Sequence, residues 1–180
     1  MTKPLATLTI RARDVLVQRI LGSTQMKSRA IFLTKNDGEH LRVLGTEVTV
    51  KATVDDTAGA VEWVEITADR GSVVPPHRHP WGESYYIIDG SLEVQVGARH
   101  HVATAGAFVT IPPRAIHGFS VTSDRARFLH VSIGPGATAM FTEYSQTVPD
   151  APDPGDPDAL AAVLGVGSRH GVEFMVPQPA

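Results

Sequence analysis

Four side chains of this sequence have the types and spacing to hold a metal ion: His77, His79, Glu83 and His117. The first three lie in GSVVPPHRHPWGESYYIIDG, residues 71–90. Residues two apart on a strand point to one face, so His77 and His79 can turn both imidazoles toward one ion. Glu83 follows beyond the breaker pair Pro80 and Gly82 and opens the run SYYIID, which reads as the returning strand. From there a carboxylate can meet the two imidazoles across the strand pair. His117 closes a second block, GAFVTIPPRAIH, residues 106–117, in which a strand is followed by a tight Pro112-Pro113 turn. Three imidazoles and one carboxylate suit a divalent transition metal, one ion per chain. The sequence contains no cysteine, so thiolate ligation is excluded. Iron, manganese, nickel, cobalt and zinc all accept such a nitrogen and oxygen set.

Four protein ligands leave about one or two positions open on an ion of coordination number about five or six. Water, dioxygen or a chelating substrate can fill them. The ion then serves chiefly as Lewis acid and template. Glu83 is the candidate catalytic residue, able to stay on the metal or to leave it and act as a base.

The elements that must position these groups are short strands. The parity that turns Glu83 inward also turns Tyr85 and Ile87 inward, and His117 takes Phe119 with it. Val109 and Ile111 are expected on the opposite wall. With His130, these residues form the candidate substrate pocket. Its large apolar groups and single phenol suit an aromatic or hydrophobic ligand better than a sugar phosphate, although the same residues would also fill a plain barrel core. His130, in FLHVS, is expected to support the site rather than to touch the ligand. The adjacent pair His100 and His101 must face opposite ways and cannot both serve it. Arg78, between two inward histidines, is expected to point outward, and Arg114 to be solvated at a turn.

The strand pattern extends well beyond the two blocks. AIFLT is expected to be a strand ending in Asn36-Asp37-Gly38, a hairpin-type turn. HLRVLGTEVTVKATV, AVEWVEITA, SLEVQVG, HHVATA, AFVTI, HGFSVTS and ARFLHVSIG follow as extended segments. Gly and Pro turns at regular spacing indicate an all-β barrel or sandwich. ATAMFTEYSQ has the look of one or two helical turns. TVPDAPDPGDPD is a Pro/Asp linker. Asp156 can cap a helix with Pro157 at its first position, so DALAAVLGVGSRHG reads as a short helix and VEFMVP as a final extended piece.

Taken together, the two blocks resemble the paired motifs of the cupin family. The first motif is a glycine, five residues, His-x-His, three residues, Glu, six residues and a glycine; here these are Gly71, His77, His79, Glu83 and Gly90. In the second, Gly106, Pro112 and His117 fall in step. Arg114 stands where the family usually has glycine, and Val121 where it often has asparagine. The resemblance implies a jelly-roll barrel (a double-stranded β-helix) with a few short peripheral helices. The helix and HGVEF strand at the C-terminus are similar to single-domain cupins related to quercetin 2,3-dioxygenase. That likeness implies a metal-dependent dioxygenase acting on an aromatic hydroxy-ketone of flavonol type. The alternatives are an oxygen-independent metal cupin (isomerase, decarboxylase, lyase or cyclase) and a non-catalytic small-molecule-binding cupin. It also implies a homodimer.

The organisation expected is an N-terminal arm over 1–30, packed on the barrel or on a second subunit. The cupin barrel follows over 31–146, with motif one at 71–90 and motif two at 106–121. A linker, helix and strand over 147–180 pack on the barrel. At 180 residues the chain can bury a proper core. The formal net charge of −3, with no basic run, argues against nucleic acid as a partner. No stretch has the length and apolar character of a signal peptide or membrane span, so a cytoplasmic protein with a small-molecule substrate is expected.

Overall fold

The structure, a computed structural model, describes residues 30–153 and 155–175. The expected arm over 1–30 therefore lies almost entirely outside the described residues. Ten strands follow in order: β1 (Glu39–Val43), β2 (Thr46–Ala52), β3 (Val61–Asp69), β4 (Val73–Arg78), β5 (Gly82–Asp89), β6 (Ser91–Val96), β7 (Arg99–Thr104), β8 (Phe108–Ile111), β9 (His117–Val121) and β10 (Arg125–Ile133). Two helices, α1 (Ala137–Thr147) and α2 (Pro157–Arg169), and a short β11 (Glu173–Phe174) complete the fold.

Two antiparallel sheets carry the strands, in the orders β1-β2-β3-β10-β5-β8 and β11-β4-β9-β6-β7. Inward residues alternate with outward ones on the long strands: in β3, Glu62, Val64, Ile66 and Ala68 are buried between more exposed neighbours. The core between the sheets is built from Val48, Val64, Ile66, Tyr85, Ile87, Leu92, Val94, Ile111, Val121 and Phe128, among others. The all-β architecture and the peripheral helices are as the sequence indicates.

Two local expectations are corrected. Ile31–Thr34 forms no strand; it runs exposed ahead of a turn in which the Thr34 N–H donates to the Asp37 carboxylate. Among the described residues its apolar side chains have no partner strand, and β1 at the sheet edge starts only at Glu39. The run from His40 to Val54 is also not one strand. It breaks at Leu44 and Gly45, whose φ values of 49° and 84° are both left-handed. Two consecutive left-handed residues form the tight turn that matches strand twist in a hairpin, and β1 pairs with β2 directly across it.

Both helices have identifiable starts. On α2, the Asp156 side chain accepts from the Asp158 N–H, with Pro157 in the first turn. Gly136 gives α1 no side-chain cap. Instead the buried Glu62 reaches across from β3 and accepts from the Thr138 N–H at 3.0 Å and the Thr138 hydroxyl at 2.5 Å. This carboxylate anchors α1 to the barrel at the end where the helix dipole favours negative charge. Tyr144 of α1 and Val166 of α2 enter the main core. No helix among the described residues is long and apolar enough to cross a membrane.

Candidate metal centre

The local chain path explains how His77 and His79 come to face inward. Pro75 and Pro76 sit in β4, and its register against β9 shifts between Val74 and His77. Proline lacks an N–H to give to a ladder, and a bulge is where a sheet tolerates it. Gly118 on β9 lets the bulged chain come close: a Cβ there would lie 2.6 Å from the Val74 carbonyl oxygen. Past the bulge, His77 pairs with His117 across the two strands. Arg78 points outward and bridges to Glu173, as parity requires. Arg114 adopts φ 64°, a left-handed conformation that glycine takes most readily, and its N–H donates to the His79 carbonyl at 2.8 Å.

Three imidazoles converge. His77, His79 and His117 are buried, and they offer ligand atoms that all lie within 4.8 Å of one another. Each has its Nδ1 at 2.9 Å from a backbone carbonyl two residues away: His77 on Pro75, His79 on Trp81, His117 on Ala115. A carbonyl can only accept, so Nδ1 carries the proton in all three rings and Nε2 is left as the lone pair facing the centre. The Glu83 carboxylate closes the group. Its Oε1 lies 2.8 Å from His117 Nε2 and its Oε2 3.2 Å from His79 Nε2. The His117 contact is off the line of a hydrogen bond, so this buried nitrogen has no hydrogen-bond partner. Lone pairs of three rings facing a carboxylate with no proton to share are a donor set made for a cation. The residues therefore fit a divalent metal ion.

For His77, electrostatics supports the same reading. Burial, and then the proximity of His117, lowers the His77 pKa to about 4, so the ring is neutral near neutral pH. Burial also opposes charge on His117, but the Glu83 carboxylate outweighs it and raises its pKa. Burial works to raise the Glu83 pKa, yet the close imidazoles of His117, His130 and His79 hold it well below the ordinary carboxylate value.

An apolar cavity of about 470 Å³ opens beside this group, within the ~300–1,000 Å³ usual for small-molecule sites. Its barrel side includes Val48, Ile66, Glu83, Tyr85, Phe119 and His130. Three of the expected pocket residues, Tyr85, Phe119 and His130, are therefore brought together with the metal group. Ile87, Val109 and Ile111 do not border this cavity. Ile87 and Ile111 are core residues at 0% and 1% exposure, and Val109 is a partly buried residue packed against the same core. They face inward as parity predicts, but β8 lies on the far side of β5, whereas the cavity extends toward β1–β3 and the helices.

Sequence reasoning missed the roof. Met140, Phe141 and Tyr144 of α1, Leu160, Val163 and Leu164 of α2, and Phe174 all line the cavity. Phe174 pairs with β4 opposite His77, and its ring centroid lies 5.8 Å from that imidazole. Trp81 stacks on His79 at 4.2 Å, with the planes 11° apart. The signal was the apolar face of each helix, which shows that the helix packs but not on what. No lysine or arginine side chain borders the cavity among the described residues.

Residues 64–132 match the family model described as cupin domain. Comparison with curated proteins gives no match. Among solved structures, the chain is similar to KdgF from Halomonas sp., at 18% identity and TM-score 0.54, over 59% of this chain and 94% of that one. It is similar to the polyketide cyclase RemF from Streptomyces resistomycificus, at 21% identity and TM-score 0.51, over 58% of this chain and 80% of that one. A predicted oxalate decarboxylase from Thermotoga maritima shares 18% identity at TM-score 0.52, over 58% and 99% of the two chains. At these identities the likeness is one of fold.

Proposed function

Starting from a chain that belongs to the cupin superfamily, with the cupin domain at residues 64–132, we propose a metal-dependent enzyme acting on a neutral, oxygenated aromatic substrate. The observation that carries this reading is the set of three imidazoles fixed in one tautomer, converging with Glu83 at the edge of an apolar cavity. A divalent ion held by His77, His79, His117 and Glu83 would supply Lewis acidity and a template for a chelating substrate. Tyr85, Phe119 and Phe141 give flat apolar walls for a ring system. The described lining holds no lysine or arginine, so the ion alone would offset the charge of a sugar acid or phosphate, which favours a neutral substrate. Glu83, in contact with the imidazole group, is placed to receive a proton from a substrate hydroxyl.

The finer reading is a quercetinase-like dioxygenase opening a flavonol-type hydroxy-ketone with dioxygen. The second reading is oxygen-independent chemistry of the cyclase kind, favoured by the fold likeness to a polyketide cyclase. Aerobic incubation of metal-loaded protein with a flavonol panel, following dioxygen uptake and loss of flavonol absorbance, separates them. The dioxygenase reading expects uptake that needs both metal and substrate and vanishes in His117→Ala. Turnover that persists under nitrogen selects the second reading, and no binding of any flavonol removes the first. The proposal includes a homodimer in the cytoplasm, with small molecules and no nucleic acid as its other partners. Trp63, Tyr86, Phe108 and Ile133, exposed on the outer face of the larger sheet, support pairing.

A further inference from the structure

Four buried imidazoles surround Glu83 or its neighbours, and they divide by tautomer. His77, His79 and His117 carry their protons on Nδ1, as the backbone carbonyls require. His130 is the reverse. Its Nε2 lies 2.9 Å from Glu83 Oε2, and its Nδ1 is buried without a partner. A carboxylate oxygen accepts, so the proton of a neutral His130 is on Nε2 and points at Glu83. It is a donor to the carboxylate, and it stands outside the group of three whose ligand atoms converge.

A second donor meets the other oxygen. The Tyr85 hydroxyl donates to Glu83 Oε1. The strand ladder builds this arrangement. Tyr85 is two residues along β5 from Glu83 and therefore on the same face, and it pairs in register with His130 of β10. The three groups are 3%, 2% and 5% exposed. Phe128 packs edge-on against Tyr85, and Phe141 edge-on against His130, so each donor ring has an aromatic neighbour at its side.

We propose that Tyr85 and His130 are positioning residues that clamp the Glu83 carboxylate, one donor to each oxygen, and so fix it as an immobile fourth ligand of the metal group. The proposal rests on the metal reading above. Donors behind a ligating carboxylate restrict its rotation, and removing such partners typically lowers metal affinity by about 10–100-fold.

The test is titration of metal-free protein with cobalt(II), read through its visible ligand-field bands, which report ligand geometry without any substrate. The variants are Tyr85→Phe, His130→Leu and His130→Gln; Gln keeps an N–H near the position of Nε2. Wild-type protein is expected to bind one cobalt per chain. Tyr85→Phe and His130→Leu are expected to bind it about 10–100-fold more weakly, with shifted bands, and His130→Gln to return within about threefold of wild type. Should His130→Leu fail to fold, Tyr85→Phe, which removes only a hydroxyl, decides alone. Wild-type affinity and spectrum in the folded Leu and Phe variants would overturn the clamp. Equal impairment in Gln and Leu would also overturn it, by showing that His130 acts through packing. Wild-type protein that binds no cobalt would instead remove the metal reading, and the clamp with it.

Discussion

Gly167 of α2 offers a measurement of how tightly the C-terminal roof is fitted against the metal group. A Cβ added there would lie 2.7 Å from the Phe174 ring and 3.2 Å from the Tyr144 hydroxyl. Carbon atoms pack at about 3.5–4.0 Å, so the ring must retreat by roughly 1 Å. It is not free to do so. Phe174 pairs with β4 opposite His77, and the next N–H, of Met175, donates to the Pro76 carbonyl at 2.8 Å. Overpacking of this kind costs about 1–3 kcal/mol, against about 1 kcal/mol that alanine gains over glycine in a helix interior. Gly165, two residues earlier, isolates the packing part, because its added Cβ would meet only the Arg169 guanidinium, at 3.4 Å, an ordinary contact distance. Gly165→Ala should therefore raise stability by up to about 1 kcal/mol. Gly167→Ala should lie about 1–3 kcal/mol below Gly165→Ala, since the helix preference cancels in the comparison. Urea denaturation followed by tryptophan fluorescence gives both values, and hydrogen exchange at the Met175 amide should speed up in Gly167→Ala alone. Equal stabilities with unchanged Met175 exchange would refute the fitted-roof argument.

Glu83→Gln keeps the size and one ligand oxygen but loses charge and basicity; if Glu83 is a base, the variant assayed at saturating metal should lose turnover by roughly a hundredfold or more, and unchanged turnover would demote Glu83 to a ligand only. In metal-free protein, moving His77 from its ordinary 6.5 to about 4 corresponds to roughly 3 kcal/mol at ~1.4 kcal/mol per pH unit. Above pH 6.5 that stability is fully present, and it is lost as the pH falls to about 4, because the unfolded chain takes up a proton the folded ring refuses. His117, with its raised value, works in the opposite sense, adding stability at acid pH that fades as the pH rises through its folded value. Metal-free wild-type protein should therefore lose stability from pH 6.5 to 4 more steeply than metal-free His77→Ala, and parallel profiles by thermal melting would contradict the assignment. If the exposed apolar face holds two chains together, sedimentation equilibrium should show a dimer that Phe108→Lys or Trp63→Lys weakens; a monomer at all concentrations would exclude it.

Much of the metal group was legible because strand parity is a strict rule. His77 and His79 two apart, with Glu83 on the next strand, had to share a face once both segments were extended. The pocket was less legible for the same reason. Parity put Ile87, Val109 and Ile111 on the inner face, but it says nothing of which end or edge of the barrel a cavity occupies. The roof depended on tertiary placement of α1, α2 and β11, which an apolar helix face alone does not specify. The hairpin at Leu44 and Gly45 escaped notice because a leucine with positive φ carries no sequence signature.

The central claim is that His77, His79, His117 and Glu83 hold a transition metal, and elemental analysis of protein purified without chelator tests it most directly. The account predicts close to one transition-metal ion per chain in the wild type, and loss of most of it in His77→Ala, His79→Ala and the double variant. Full metal occupancy in a folded His77→Ala/His79→Ala protein would contradict it.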